Sequence, residues 1–273
     1  MTSRLLRLPA SGRLLVATDI QGNLRDFQRM LTLFEASPED TVLVFTGDMV
    51  HGPDEETERN WPHYLGTPYR DESPEVVRAF LEARERFPGR VHCLLGNHEH
   101  AHVGGPRTAK FHEDEAQVLE ERMGLGPSAA MRTLFAQFPL VAVAPNGVAL
   151  LHAAPSARLT GPEELEKVEL EGYAHMGIFE FLHVPVIGPT LWSRMAEPEQ
   201  ARAFLAALGA RVAIYGHDVV REGYERLGDE QLCVSTSFAL FDKDKVYVEL
   251  GLARSYPDVH SLRDGIELKK LYG

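Results

Sequence analysis

Val91-His92-Cys93-Leu94-Leu95-Gly96-Asn97-His98-Glu99 is an apolar run that stops at a glycine and passes at once to a carboxamide, an imidazole and a carboxylate. The run has the length and composition of a strand buried on both faces, and the glycine frees the backbone for a sharp turn. Four more segments repeat the arrangement. Leu14-Leu15-Val16-Ala17 leads to Asp19-Ile20-Gln21-Gly22-Asn23, and Val42-Leu43-Val44-Phe45 to Gly47-Asp48. Val148-Ala149-Leu150-Leu151 leads to His152, and Val212-Ala213-Ile214-Tyr215 to Gly216-His217. Strands that end together in one crevice, each loop adding one or two oxygen or nitrogen donors, are how a sheet presents a two-metal hydrolytic site. Such a coincidence repeated along one chain argues against a purely structural reading.

The connections fit that architecture. Leu24, Phe27, Met30, Leu31 and Phe34 recur at helical spacing over 24–35, and Val76, Val77, Phe80 and Leu81 do so over 74–87. Strands alternating with helices predict a mainly parallel sheet with helices outside. Residues 53–73 read as a long loop near the site, the kind that carries substrate contacts. Further helices are expected over 113–123 and 129–138, while 155–190 shows no clear pattern. Leu232–Phe238 and Val246–Leu252, with a turn at Asp242-Lys243-Asp244, read as an antiparallel hairpin that adds a second sheet. The whole chain, 1–273, is expected to be a single α/β domain.

Composition bounds the function. With 44% hydrophobic and 25% charged residues the chain is an ordinary globular sequence, and its net charge of -12 opposes a nonspecific grip on nucleic acid. Cys93 and Cys233 sit in apolar runs and read as reduced core residues, which points to the cytoplasm. The N-terminal apolar stretch is too short for a signal peptide, and no run reaches membrane-spanning length.

Carboxylates, a carboxamide and imidazoles together suit a pair of divalent ions of intermediate hardness: Mn foremost, with Fe, Zn or Mg as alternatives, and Ca a poorer fit. Asp48 is the natural bridging residue, and two ions about 3.5–4 Å apart would activate a shared water and polarise a phosphoryl oxygen.

Taken in order, Asp-x-x-Gly-Asn, Gly-Asp, Gly-Asn-His-Glu, His-Ala-Ala and a final Gly-His resemble the calcineurin-like metallophosphoesterases, and more narrowly their phosphoprotein phosphatase branch. Leu191-Trp192-Ser193, the stretch His217–Glu225 and Ser235-Thr236-Ser237-Phe238 add to the likeness, which runs from about residue 13 to 250. The resemblance implies a β-sandwich of mixed sheets flanked by helices, in α/β/β/α layers. It implies that Asp19, Gln21 and Asp48 bind one metal ion and Asp48, Asn97, His152 and His217 a second, with His98 as the general acid.

Three departures bear on substrate. Gln21 stands where the family usually has histidine, as it often does in the related bacterial symmetrical dinucleoside tetraphosphate hydrolases. Gly47-Asp48-Met49-Val50-His51-Gly52-Pro53 replaces Gly-Asp-x-Val-Asp-Arg-Gly, so His51 stands for the carboxylate that orients the general acid and Gly52 for a phosphate-clamping arginine. The region after Trp192 lacks the segment that carries the second such arginine. Arg107, Lys110, Arg158 and Arg194 are candidates to face the crevice, with Arg107 and Arg194 foremost. His92 reads as core, His100 and His102 as solvent-exposed or substrate-facing, and the remaining histidines as surface or locally hydrogen-bonded residues. Trp61 and Tyr64 are as suited to anchoring their own loop as to stacking on a base.

The expected function is metal-dependent hydrolysis of a phosphoester, foremost phosphoserine or phosphothreonine in a protein. A dinucleoside polyphosphate or another small phosphate is the second substrate class, and a catalytically weak phosphate-binding protein the third reading. Neither nucleic-acid scaffold binding nor membrane attachment is expected.

Overall fold

The computed structural model describes residues 3–273 and, among them, eleven strands in two sheets. The strands are β1 (Leu5–Arg7), β2 (Arg13–Ala17), β3 (Thr41–Phe45), β4 (Val91–Cys93), β5 (Val141–Ala144), β6 (Val148–Leu151), β7 (Val212–Tyr215), β8 (Tyr224–Leu227), β9 (Gln231–Val234), β10 (Val246–Gly251) and β11 (Leu268–Lys270). One sheet runs β11-β10-β2-β3-β4 and the other β1-β5-β6-β7-β9-β8. Both are mixed. β2, β3 and β4 are mutually parallel while β10 lies antiparallel to β2, and β6, β7 and β9 are parallel between antiparallel β5 and β8.

Side-chain alternation explains why there are two sheets. Leu14, Val16, Val42 and Val44 point to one face of the first sheet and join Val148, Leu150, Val212 and Ile214 of the second in one buried cluster. The intervening residues Leu15, Ala17, Leu43 and Phe45 pack instead with helical Phe27, Met30, Val76 and Phe80. A strand apolar at every position therefore serves two layers, and the result is an α/β/β/α sandwich.

The outer layers come from nine helices: α1 (Leu24–Glu35), α2 (Glu55–Arg59), α3 (Ser73–Arg86), α4 (Asn97–His100), α5 (Glu115–Met123), α6 (Leu125–Phe135), α7 (Ile178–Phe181), α8 (Ile187–Trp192) and α9 (Pro198–Ala207), counted among the described residues. Asn23 caps α1 by accepting the Asp26 N–H at 3.2 Å, and Phe27 of that helix stacks on Phe45 at 5.0 Å between ring centroids. Residues 53–73 hold α2 and a 3-10 turn at His63–Leu65. Trp61 there donates to the Gly66 carbonyl at 2.9 Å and packs on Tyr69, so it anchors its own loop.

Two expectations need correction. Leu232–Phe238 and Val246–Leu252 do not form a hairpin, because β9 belongs to one sheet and β10 to the other. The chain crosses between layers at Ser235–Lys245, where Thr236 Oγ1 donates to the Val246 carbonyl at 2.8 Å. The hairpin partner of β9 is β8, whose half-buried Tyr-Glu-Arg-Leu carries a weak strand pattern. The helix expected over 129–138 starts and ends earlier, at Leu125 and Phe135. No helix among the described residues is long and apolar enough to cross a membrane.

Candidate metal centre and catalytic crevice

The donor-bearing loops after β2, β3, β4, β6 and β7 gather at one rim of the sandwich, so both sheets contribute. Backbone hydrogen bonds zip the first loops together: Gln21 N–H donates to Asp48 O at 2.9 Å and Gly22 N–H to Met49 O at 2.8 Å. Glu99 joins the next pair. Its carboxylate accepts the N–H groups of Asp48 and Met49, each at 2.8 Å, and of Gly96 at 3.1 Å. Asp48 Oδ1 in turn accepts the His98 N–H at 3.1 Å.

The turns are tight enough to force unusual backbone. Asp19, Gln21, Asp48, His51 and His217 all take positive φ, between 43° and 68°, a region that costs non-glycine residues energy. Such strain is kept where surrounding contacts fix it, and here it aims donors inward. Gly47, at φ +104°, allows a close approach: a Cβ there would lie 2.6 Å from Gly96 Cα.

Whether these residues fit a divalent cation can be tested by following the protons. His152 Nδ1 lies 3.0 Å from the Thr46 carbonyl, which can only accept, so Nδ1 carries the proton and Nε2 presents a lone pair. That lone pair faces Asn97 Oδ1 at 2.8 Å, His217 Nδ1 at 3.1 Å and Asp48 Oδ1 at 3.5 Å. Electron-pair donors crowd together with too few protons between them, which is the environment a cation resolves. Asp48, His152 and His217 satisfy the geometry of a metal-holding group.

For the other ion the structure offers Asp19, Gln21 and Asp48. Both oxygens of Asp19 accept from the His217 N–H, at 3.1 and 3.0 Å. Burial pushes Asp19, Asp48 and Glu99 each up to about 7, and the negative Asp48 adds to the effect on Asp19 and Glu99. Buried carboxylates raised in this way gain from a nearby cation. Gln21 Oε1 accepts from Lys110 Nζ at 2.9 Å, and a second lone pair of that oxygen stays free.

His98 shares the crevice. Its Nε2 is 3.7 Å from Asp48 Oδ2, and its Nδ1 is 2.8 Å from His51 Nδ1. A string continues from there to the surface: His51 Nε2 to His102 Nε2 at 2.9 Å, His102 Nδ1 to Glu120 at 2.9 Å, and Glu120 to Arg132. His100 and His102 are thus buried and not exposed; His100 Nε2 donates to the Leu170 carbonyl at 2.9 Å. Sequence reading also missed Glu115. Its buried Oε2 has no hydrogen-bond partner and sits 3.6 Å from His98 Nδ1 and 3.8 Å from His51 Nδ1, so a carboxylate stands beside the two imidazoles although position 51 carries none.

The crevice, a cavity of about 160 Å³, is lined by Gln21, Asp48, Asn97, His98, Lys110 and Arg194, with Trp192 and His217 beside them. Arg194 is ion-paired with Asp218. Arg107 does not face the crevice; it pairs with Asp114 at 2.5 Å beside a different cavity, and Arg158 lines yet another. His92 is half-buried against the Gly89 carbonyl. Gly52 leaves no room for a side chain, since a Cβ would lie 2.8 Å from Gln21 O and 2.9 Å from Asp71 Oδ1.

The family model for calcineurin-like phosphoesterases matches residues 12–221, a span that holds every donor named above. The chain belongs to that family. Among solved structures, a protein serine/threonine phosphatase from Saccharomyces cerevisiae with similarity to human PP5 is 16% identical, with a TM-score of 0.59 over 98% of this chain and 82% of its own. A cold-active protein-tyrosine phosphatase from a psychrophilic Shewanella is 12% identical, with a TM-score of 0.62 over 93% of this chain and 78% of its own. At these identities the likeness is one of fold. This calcineurin-like phosphoesterase is a metal-dependent phosphoester hydrolase.

Proposed function

We propose that this phosphoesterase is a phosphomonoesterase acting on phosphoserine and phosphothreonine in protein substrates, with Mn as its metal. The observation that carries the reading is the convergence of Asp48, Asn97 and His217 about His152, with His98 lining the same crevice and its Nε2 3.7 Å from Asp48. Bound divalent ions would supply positive charge that acidifies water and neutralises phosphoryl oxygens. Asp48, Asn97, His152 and His217 would hold one, and Asp19, Gln21 and Asp48 the other. The mix of carboxylate, carboxamide and imidazole donors supports Mn over softer-site metals.

The chain's own residues do the rest. His98 holds a proton at Nε2 for the leaving oxygen, while His51 fixes its ring through Nδ1 and Glu115 places a carboxylate 3.6 Å from that nitrogen. A cavity of about 160 Å³ takes a phosphoryl group and leaves the remainder of the substrate outside, over a rim that includes exposed Ile178. Such a shape supports a monoester on a large, external leaving group. The buried, free thiols of Cys93 and Cys233 support a reducing compartment such as the cytoplasm.

Gln21 and the closed-off Gly52 favour a second reading, hydrolysis of a dinucleoside polyphosphate. Turnover of a phosphothreonine peptide, p-nitrophenyl phosphate and diadenosine tetraphosphate, assayed in parallel with Mn, separates the two. Preference for the peptide supports the first reading. Preference for the nucleotide replaces it with the second, and inactivity on all three removes both.

A further inference from the structure

Lys110 is unlike Arg194, which shares the crevice, and unlike Arg107 and Arg122, which line other cavities. Arg107, Arg122 and Arg194 are each neutralised by a carboxylate, from Asp114, Asp71 and Asp218 respectively. Lys110 has an exposed stem at the rim, yet its ammonium reaches in to donate to the neutral carboxamide of Gln21 at 2.9 Å and lies 4.0 Å from the centre of the Phe238 ring. Among the described residues no carboxylate forms an ion pair with it. An ammonium has three donors, and these two contacts leave one for the crevice that Lys110 lines together with Asp48, His98 and Arg194.

We propose that Lys110 grips the phosphoryl group of the substrate, with Gln21 and Phe238 as the seat that holds it in place. A cation fixed by neutral partners keeps its charge for an incoming dianion, whereas one already paired must first give up its carboxylate. The position that would carry an arginine, Gly52, is closed by Gln21 O and Asp71, so the anion contact has to come from elsewhere in the chain. Lys110 arrives from the segment between α4 and α5. The same contact accounts for glutamine at position 21. A neutral imidazole has one lone pair, while a carboxamide oxygen has two and can accept from Lys110 and still face a cation.

The inference rests on the phosphoesterase reading, and the test separates the two. Mn-loaded wild type, Lys110→Met, Lys110→Arg and Arg107→Ala are titrated with inorganic phosphate by calorimetry, assayed for kcat and KM on p-nitrophenyl phosphate, and analysed for Mn content. Lys110→Met should weaken phosphate binding and raise KM by about tenfold each, the worth of one charge-assisted hydrogen bond, with Mn content unchanged. Lys110→Arg, which keeps the charge in a different shape, should lose less than Lys110→Met, and Arg107→Ala should match wild type. Phosphate bound as tightly by Lys110→Met as by wild type, or Mn lost from that variant, overturns the proposal. Failure of wild type to hydrolyse any phosphoester would instead overturn the function, and the calorimetric comparison would still decide the role of Lys110.

Discussion

His98 meets the crevice through Nε2 and the interior through Nδ1, and the two sides make opposite demands. Burial pushes its pKa well below the ordinary imidazole value, helped by positive charge on Lys110 and His51. In the proposed role of general acid His98 needs its proton, so a negative charge close by is required to oppose that trend. Glu115, 3.6 Å from Nδ1, is placed to provide it. Glu115→Gln keeps the shape and removes the charge. The protonated imidazole then becomes less favourable, so the alkaline limb of the pH–rate profile should move to lower pH. Turnover of a phosphoserine peptide should fall about tenfold, and that of p-nitrophenyl phosphate less, because nitrophenolate leaves without needing a proton. An unmoved limb would show that Glu115 does not act on His98. This residue was invisible in the sequence for a physical reason. Asp19, Asp48 and His152 each follow a strand and are placed by it, whereas Glu115 reaches His98 across a loop with no periodicity. His102 was misjudged likewise: nothing local marks a histidine whose partners are His51 and Glu120.

The loops after β3 and β4 act as a single element because Gly96 lets them touch. A methyl group on Gly96 would collide with Asp48 at both its backbone nitrogen and Oδ1, and would approach Glu99 Oε2 within 2.7 Å. Gly96→Ala should therefore cost about 1–3 kcal/mol of stability and weaken Mn binding together, since the displaced Asp48 is one of the residues that would hold the metal. Gly89→Ala is the control. Gly89, unlike Gly96, has positive φ, +74°, but a Cβ there meets nothing within 4 Å, so only backbone strain of about 1 kcal/mol is expected, with Mn binding intact. Thermal unfolding and Mn titration of the two variants check this; equal effects on Mn affinity would mean that the loop contact does not shape the site. At this scale α1, α3 and the five donor-bearing strands were legible, because long periodic or wholly apolar runs admit few alternatives. β1, β8 and β11 were not, since three or four partly exposed residues carry no usable pattern.

The molecule as a whole builds its site where two sheets meet, and that explains both what sequence could show and what it could not. Strand identity follows from local composition, but the division of strands between sheets depends on contacts distant in sequence, such as Thr18 N–H to Thr236 Oγ1 at 3.0 Å. The hairpin expectation failed for that reason. Gathering acids at a buried rim also links stability to pH. Asp19, Asp48 and Glu99, raised to about 7 in the fold against about 4 in the open chain, favour the metal-free fold at low pH, and that advantage is lost as pH rises from 4 through 7. His152 and His217, lowered by burial, work in the other sense: the unfolded chain takes up their protons below about 6.5, so their contribution is lost on acidification. A bound divalent ion relieves the ionised carboxylates and must displace protons from both kinds of donor. Added Mn should accordingly raise Tm more at pH 8 than at pH 5.5; equal increments would contradict that linkage. The most direct test of the account is hydrolysis of p-nitrophenyl phosphate by chelator-treated wild type and Asp48→Asn as Mn is restored. Wild type should regain activity with Mn, and Asp48→Asn should stay lower by about a thousandfold at saturating metal. Activity that survives chelation, or an Asp48→Asn variant close to wild type, would contradict the claim that these converging loops form a metal-dependent hydrolytic site.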